Sequence, residues 1–146
     1  MLDLEKEAQD LKEAGDYFGA LRLRLKLEQK HQQINECQTQ QSRNLNYIAF
    51  LAIHTGNVNE AERAARRCLE LYRPIAKTHD EKLATYVMML ACVLAESRKF
   101  EEAVTIGEEG VAMYAKILGK SNSYVQDCEK RIERMRHNDT RPYLDR

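Results

Sequence analysis

The chain has 146 residues, 43% of them hydrophobic, with six glycines, two prolines and no tryptophan. That length suits one ordinary domain, the composition excludes a collagen-like chain, and so few turn residues disfavour a sheet-rich fold. Twenty-three basic residues balance 23 acidic ones, so neither a nucleic-acid backbone nor an anionic membrane surface is a favoured target.

The first predicted helix places Leu4, Ala8 and Leu11 on one face, the spacing of an amphipathic helix. It runs into a turn, Gly15-Asp-Tyr-Phe-Gly-Ala20, and a second helix read through Ala20, Leu21, Leu23, Leu25 and Leu27. A third helix carries Leu45, Ile48, Ala49 and Ala52, and a fourth Ala61, Ala64, Ala65, Cys68, Leu69 and Tyr72, with the turn Gly56-Asn-Val-Asn-Glu-Ala61 between them. Pro74 should end or kink the fourth helix near Arg73. The fifth helix carries Val87, Leu90, Ala91 and Leu94; Arg98-Lys-Phe-Glu-Glu-Ala103 follows, then a sixth helix with Val104, Ile106, Gly107, Gly110, Val111 and Tyr114, closed by Gly119. Glycines inside a helix weaken it by up to about 1 kcal/mol each relative to alanine, so Gly107 and Gly110 point to close packing, against a neighbouring helix in preference to a partner's. Ser121 or Ser123 is the expected cap of a last helix with Val125, Cys128, Ile132 and Met135 on one stripe. The final segment, HNDTRPYLDR, reads as a polar tail.

Three segments of this chain repeat. The alanines at 20, 61 and 103 lie 41 and 42 residues apart, and the apolar anchors Tyr17, Val58 and Phe100 keep the same spacing. Helix, Gly-Asn/Asp turn, helix with an early alanine resembles the tetratricopeptide repeat, with small residues at Ala8, Ala49 and Ala91 as well as Ala20, Ala61 and Ala103. The period exceeds the usual 34 residues or so and is similar to the longer kinesin-light-chain type. Departures are Leu4 where the family often has an aromatic, Arg98 in place of a turn glycine, and the two helical glycines. The resemblance implies an all-α fold, a right-handed α-solenoid of three helix pairs plus a C-terminal capping helix. The domain spans residues 1–136, with units at about 1–41, 42–83 and 84–120, a capping helix at 121–136 and a polar tail at 137–146.

No catalytic pattern stands out. The chain lacks GxxxxGK[ST], GxGxxG and GxSxG, and His31, His54, His79 and His137 make no HxxxH pair. His79-Asp80-Glu81 reads as the start of a helix rather than a metal site, so no metal and no cofactor is expected. Glu101-Glu102 suits the positive end of a helix, and Glu108-Glu109 a solvated face. Arg63, Arg66 and Arg67 stand among Glu60, Glu62 and Glu70 as a salted face. Cys37, Cys68, Cys92 and Cys128 form no CxxC, the first residues carry no apolar leader, and the longest apolar run, Val87 to Ala95, is too short for a membrane span. These features read as a cytoplasmic chain with reduced cysteines.

The resemblance also implies a binding face, lined by the first helix of each unit. Its positions are Leu2, Glu5, Gln9, Lys12 and Glu13; Arg43, Asn46, Phe50, Ile53 and His54; then Thr85, Met88, Cys92, Ala95 and Glu96, with Tyr47 and Met89 at the border. The candidate partner-binding residues are Gln9, Lys12, Arg43, Asn46, Tyr47, Phe50, His54, Met88, Met89 and Cys92. An apolar centre with a polar rim suits a peptide or helix anchored by an apolar side chain. The expected function is a non-enzymatic scaffold for a protein or peptide partner, in a concave groove. The alternatives are the helical C-terminal lobe of a larger enzyme of the SET/MYND methyltransferase kind, and a self-associating homodimer.

Overall fold

A computed structural model describes residues 2–33 and 37–144. The side chain of Leu2, expected on the binding face, and the last two tail residues, Asp145 and Arg146, lie outside what is described. Every regular element among the described residues is helical: α1 (Leu2–Glu13), α2 (Tyr17–Gln33), α3 (Gln38–His54), α4 (Val58–Tyr72), α5 (Glu81–Glu96), α6 (Phe100–Leu118) and α7 (Ser123–Arg136), with one 3₁₀ turn at Arg73–Ile75. The 3₁₀ turn holds Pro74, so α4 stops where the ring forbids a further helical bond. No described helix is long and apolar enough to cross a membrane.

The chain divides into two compact units, residues 1–74 and 75–146. In the first, α1 packs on α2, α2 on α3 and α3 on α4; in the second, α5 packs on α6 and α6 on α7. The repeat is visible in the packing. Ala20, Ala49, Ala61, Ala91 and Ala103 are fully buried and Ala8 is 1% exposed, so the small repeat positions all lie in the core. The anchors Tyr17, Val58 and Phe100 each open the second helix of a pair.

The three turns inside the helix pairs share one geometry. At the first, Gly15 N–H donates to Lys12 O at 3.0 Å and Asp16 N–H to Leu11 O at 2.8 Å. The second pairs Gly56 with Ile53 and Asn57 with Ala52; the third pairs Arg98 with Ala95 and Lys99 with Leu94. This closure of a helix end needs a left-handed residue, and φ is 86° at Gly15, 76° at Gly56 and 65° at Arg98. Arg98 therefore adopts the backbone shape of the glycines it replaces.

Two expectations shift. Asn122, not Ser121 or Ser123, caps α7: its Oδ1 accepts the Tyr124 N–H at 2.9 Å. The second helix does not bury the alternating leucines at 23 and 25. It buries Ala20, Leu21, Arg24, Leu27 and His31, a helical spacing that places two basic side chains among the core positions.

Candidate functional site

In the first unit the predicted residues of α1 and α3 come together. Lys12 Nζ stands 4.9 Å from the centre of the Phe50 ring and 5.6 Å from that of Tyr47, within cation–π range. Phe50 and His54, one turn apart on α3, stack at 4.1 Å. Tyr17, at the start of α2, meets Phe50 edge-on at 6.5 Å and His54 at 5.2 Å. His54 Nδ1 lies 2.8 Å from the Phe50 carbonyl. A carbonyl only accepts, so Nδ1 carries the proton. Lys12, Tyr17, Tyr47, Phe50 and His54 are all half-buried, which leaves part of each ring facing out.

Around this cluster the polar rim is partly occupied by its own neighbours. Arg43 Nη2 pairs with Glu5 at 2.9 Å, and Gln9 donates to Glu13 at 3.0 Å. Asn46 Oδ1 is buried and has no hydrogen-bond partner among the described residues. Asn46 and Phe50 are four residues apart and so share one face of α3.

Beneath the cluster sits Arg24, which the sequence reading missed. Its guanidinium lies 4.2 Å from the centre of the Tyr47 ring, and its side chain is held by Asn44: Arg24 Nη1 to Asn44 Oδ1 at 3.4 Å, Asn44 Nδ2 to Arg24 O at 2.9 Å. Both residues are almost fully buried. Burial lowers the pKa of the guanidinium, while Tyr47 and Glu5 act the other way. Tyr47 thus lies among cations, Lys12 and the buried Arg24, which orient the ring. The stripe 20, 24, 27 and 31 held the signal, had Arg24 been read as a core position.

In the second unit the predicted residues behave differently. Met88 and Cys92 are 3% and 2% exposed, so they offer almost no surface. A Cβ at Gly110 of α6 would lie 2.7 Å from Met88 Sδ and 3.3 Å from Val87 Cγ1: the glycine exists because α5 presses there. A Cβ at Gly107 would overlap Ile132 of α7. Both helical glycines serve packing inside this unit, as the sequence suggested. Burial pushes the Cys92 thiol up to about 12, and likewise that of Cys68 in the first unit, which keeps both protonated and poor as nucleophiles or metal ligands. Met89, the third predicted residue of α5, is half-buried.

Other candidates resolve locally. Asp80 caps α5, accepting from Lys82 N at 2.9 Å and Leu83 N at 3.2 Å. Among the described residues no group of three or more His, Cys, Asp or Glu is placed to hold a metal ion, and no disulfide joins the cysteines. The basic patch of α4 is salted as expected: Arg63 pairs with Glu28 at 2.9 Å and also with Glu60, Arg66 with Glu62 and Arg67 with Glu70, each at 3.0 Å.

The model of one family, the tetratricopeptide repeat, matches residues 40–116, which is 77 of the 146. The chain belongs to the tetratricopeptide repeat family. No curated protein matches it. Tetratricopeptide repeats generally mediate protein–protein interactions and are typically non-enzymatic scaffolds. In tetratricopeptide terms, α1, α3 and α5 are the first helices and α2, α4 and α6 the second ones, with α7 following the third pair.

Proposed function

We propose that this chain is a protein-binding tetratricopeptide module, of the long kinesin-light-chain-like type, and that the α1/α3 face of its first unit holds a segment of a partner. The observation that carries this is the cation–aromatic cluster of Lys12, Tyr47, Phe50, Tyr17 and His54, part-exposed and held from below by Arg24. An aromatic platform costs little entropy to order and presents both apolar area and polar edges, which is what a binding hot spot requires. Gln9, Arg43 and Asn46 form the polar rim, and Arg43 would exchange Glu5 for an acid of the partner. The mechanism is recognition alone: an apolar side chain of the partner covers Phe50 and Tyr47, and the rim aligns its backbone.

The test is capture of partners by the wild-type chain against the Lys12→Glu/Phe50→Ala variant. Binding should fall about tenfold or more while helical content and melting are retained. Unchanged capture by a folded variant would remove this face from consideration.

A further inference from the structure

The polar tail is docked. After α7 the chain turns through Asn138 at φ 53°, with Asp139 N–H bonded to Arg134 O at 3.0 Å, and returns across α7 and the end of α5. Tyr143 is 3% exposed. Its ring lies under the Arg134 guanidinium, 4.3 Å from the ring centre. Its N–H donates to Glu96 Oε1 at 2.8 Å, and its phenol donates to Asp139 O at 2.6 Å.

Most of the remaining contacts are made to the backbone of the segment. Arg134 Nη2 donates to the carbonyls of Arg141 at 2.9 Å and Pro142 at 3.2 Å. Arg98 Nη1 donates to Thr140 O at 3.3 Å. Asp139 receives Arg134 Nε at 3.0 Å and also Arg141, and these two guanidiniums hold its carboxyl well below the usual carboxylate range.

One deeply inserted aromatic, a backbone read by fixed charged groups and a turn set by one acid make up the anatomy of a peptide site. A loop packed for stability alone would be expected to bring more apolar side chains. Here Arg141 and Pro142 stay exposed and Leu144 is half-buried, so Tyr143 is the one deeply buried anchor among the described residues of the segment.

We infer that Glu96, Arg98 and Arg134 of the second unit form a docking site for a tyrosine-anchored peptide segment, occupied in this chain by its own residues 138–144. A partner segment of the same chemistry, an aromatic side chain following a carboxylate-bearing turn, must displace the resident tail to bind. This site uses none of the first-unit residues assigned above, so each reading stands or falls alone.

The probe is a fluorescein-labelled peptide of residues 138–144, NDTRPYL, titrated against the full chain by anisotropy. Wild type should bind it at least tenfold more weakly than the Tyr143→Ala chain, whose own anchor is gone. A probe with alanine for its tyrosine should not bind, and adding Arg134→Gln to the Tyr143→Ala chain should abolish capture. If Tyr143→Ala loses its helical signal, Tyr143→Phe, which removes only the phenol bond to Asp139, replaces it and should show an intermediate gain. The inference is overturned if neither folded variant binds the probe more tightly than wild type, or if Arg134→Gln leaves capture intact.

Discussion

Between α2 and α3 the first unit buries Arg24 and Asn44, with Ser42 and His31 also among its buried polar residues. Around α5 and α6 the second unit buries alanine, valine, leucine and methionine, and lets Gly107 and Gly110 bring backbones close. The α2–α3 seam, a junction between helix pairs, is specified by hydrogen bonds, whereas the α5–α6 seam, inside one pair, is specified by shape. A buried polar pair tolerates little error, because each group left alone keeps its full desolvation cost. A glycine seam is unforgiving in a different way: it admits no added volume. The first unit keeps Tyr17, Tyr47 and Phe50 half-buried, with the buried arginine against Tyr47; the second spends Cys92, which matches Phe50 in the repeat, and Met88, which matches Asn46, on its core.

The largest expected effect tests the polar seam. Asn44→Ala removes the partner of the Arg24 guanidinium and of its carbonyl and should cost about 3 kcal/mol in urea denaturation. The double change Arg24→Met/Asn44→Leu, which leaves no charge stranded, should stay within about 1 kcal/mol of wild type. Equal losses in the two variants would mean that packing volume, not polar pairing, holds this seam.

A smaller effect tests the glycine seam. Gly110→Ala gains about 1 kcal/mol of helix propensity but drives a Cβ to 2.7 Å from Met88 Sδ and 2.9 Å from its Cγ. Overpacking of that kind costs about 1–3 kcal/mol, so a net loss near 1 kcal/mol is expected by thermal melting. A gain would show that Met88 yields freely.

The smallest contrast lies in the turns. Beyond Gly56 and its two chain neighbours, no atom of the described residues lies within 4 Å of a Cβ placed there, so Gly56→Ala should lose only the backbone term, about 1 kcal/mol. Arg98→Gly should gain less than this, because it relieves the left-handed arginine while giving up the bond to Thr140 O. If both variants melt like wild type, the left-handed turn contributes nothing to stability.

Much of this was legible along the chain. The stripes Leu45–Ile48–Ala49–Ala52, Val87–Leu90–Ala91–Leu94 and Val125–Cys128–Ile132–Met135 are all buried, since amphipathic spacing and burial are one constraint seen twice. The arginine turn at 98 was legible as well, by register with Gly15 and Gly56. Tyr143 was not: an aromatic in a polar tail has no periodic neighbours, so no pattern announces its burial. Arg24 was obscured by the leucines beside it.

Local rules therefore decided the helices, their turns and the family of this chain, because periodicity, the left-handed turn position and small-residue spacing act within a few residues or one repeat. Which side chains remain for a partner was decided in three dimensions. Met88 and Phe50 occupy neighbouring positions in the repeat pattern, yet Met88 is buried at 3% exposure while Phe50 stays half-buried at the surface. The difference comes from what packs against each: α6 approaches Met88 through Gly110, whereas Phe50 meets the edge of Tyr17, the tilted ring of His54 and the ammonium of Lys12. Burial is a property of the neighbours a side chain acquires on folding, and those neighbours are distant in sequence.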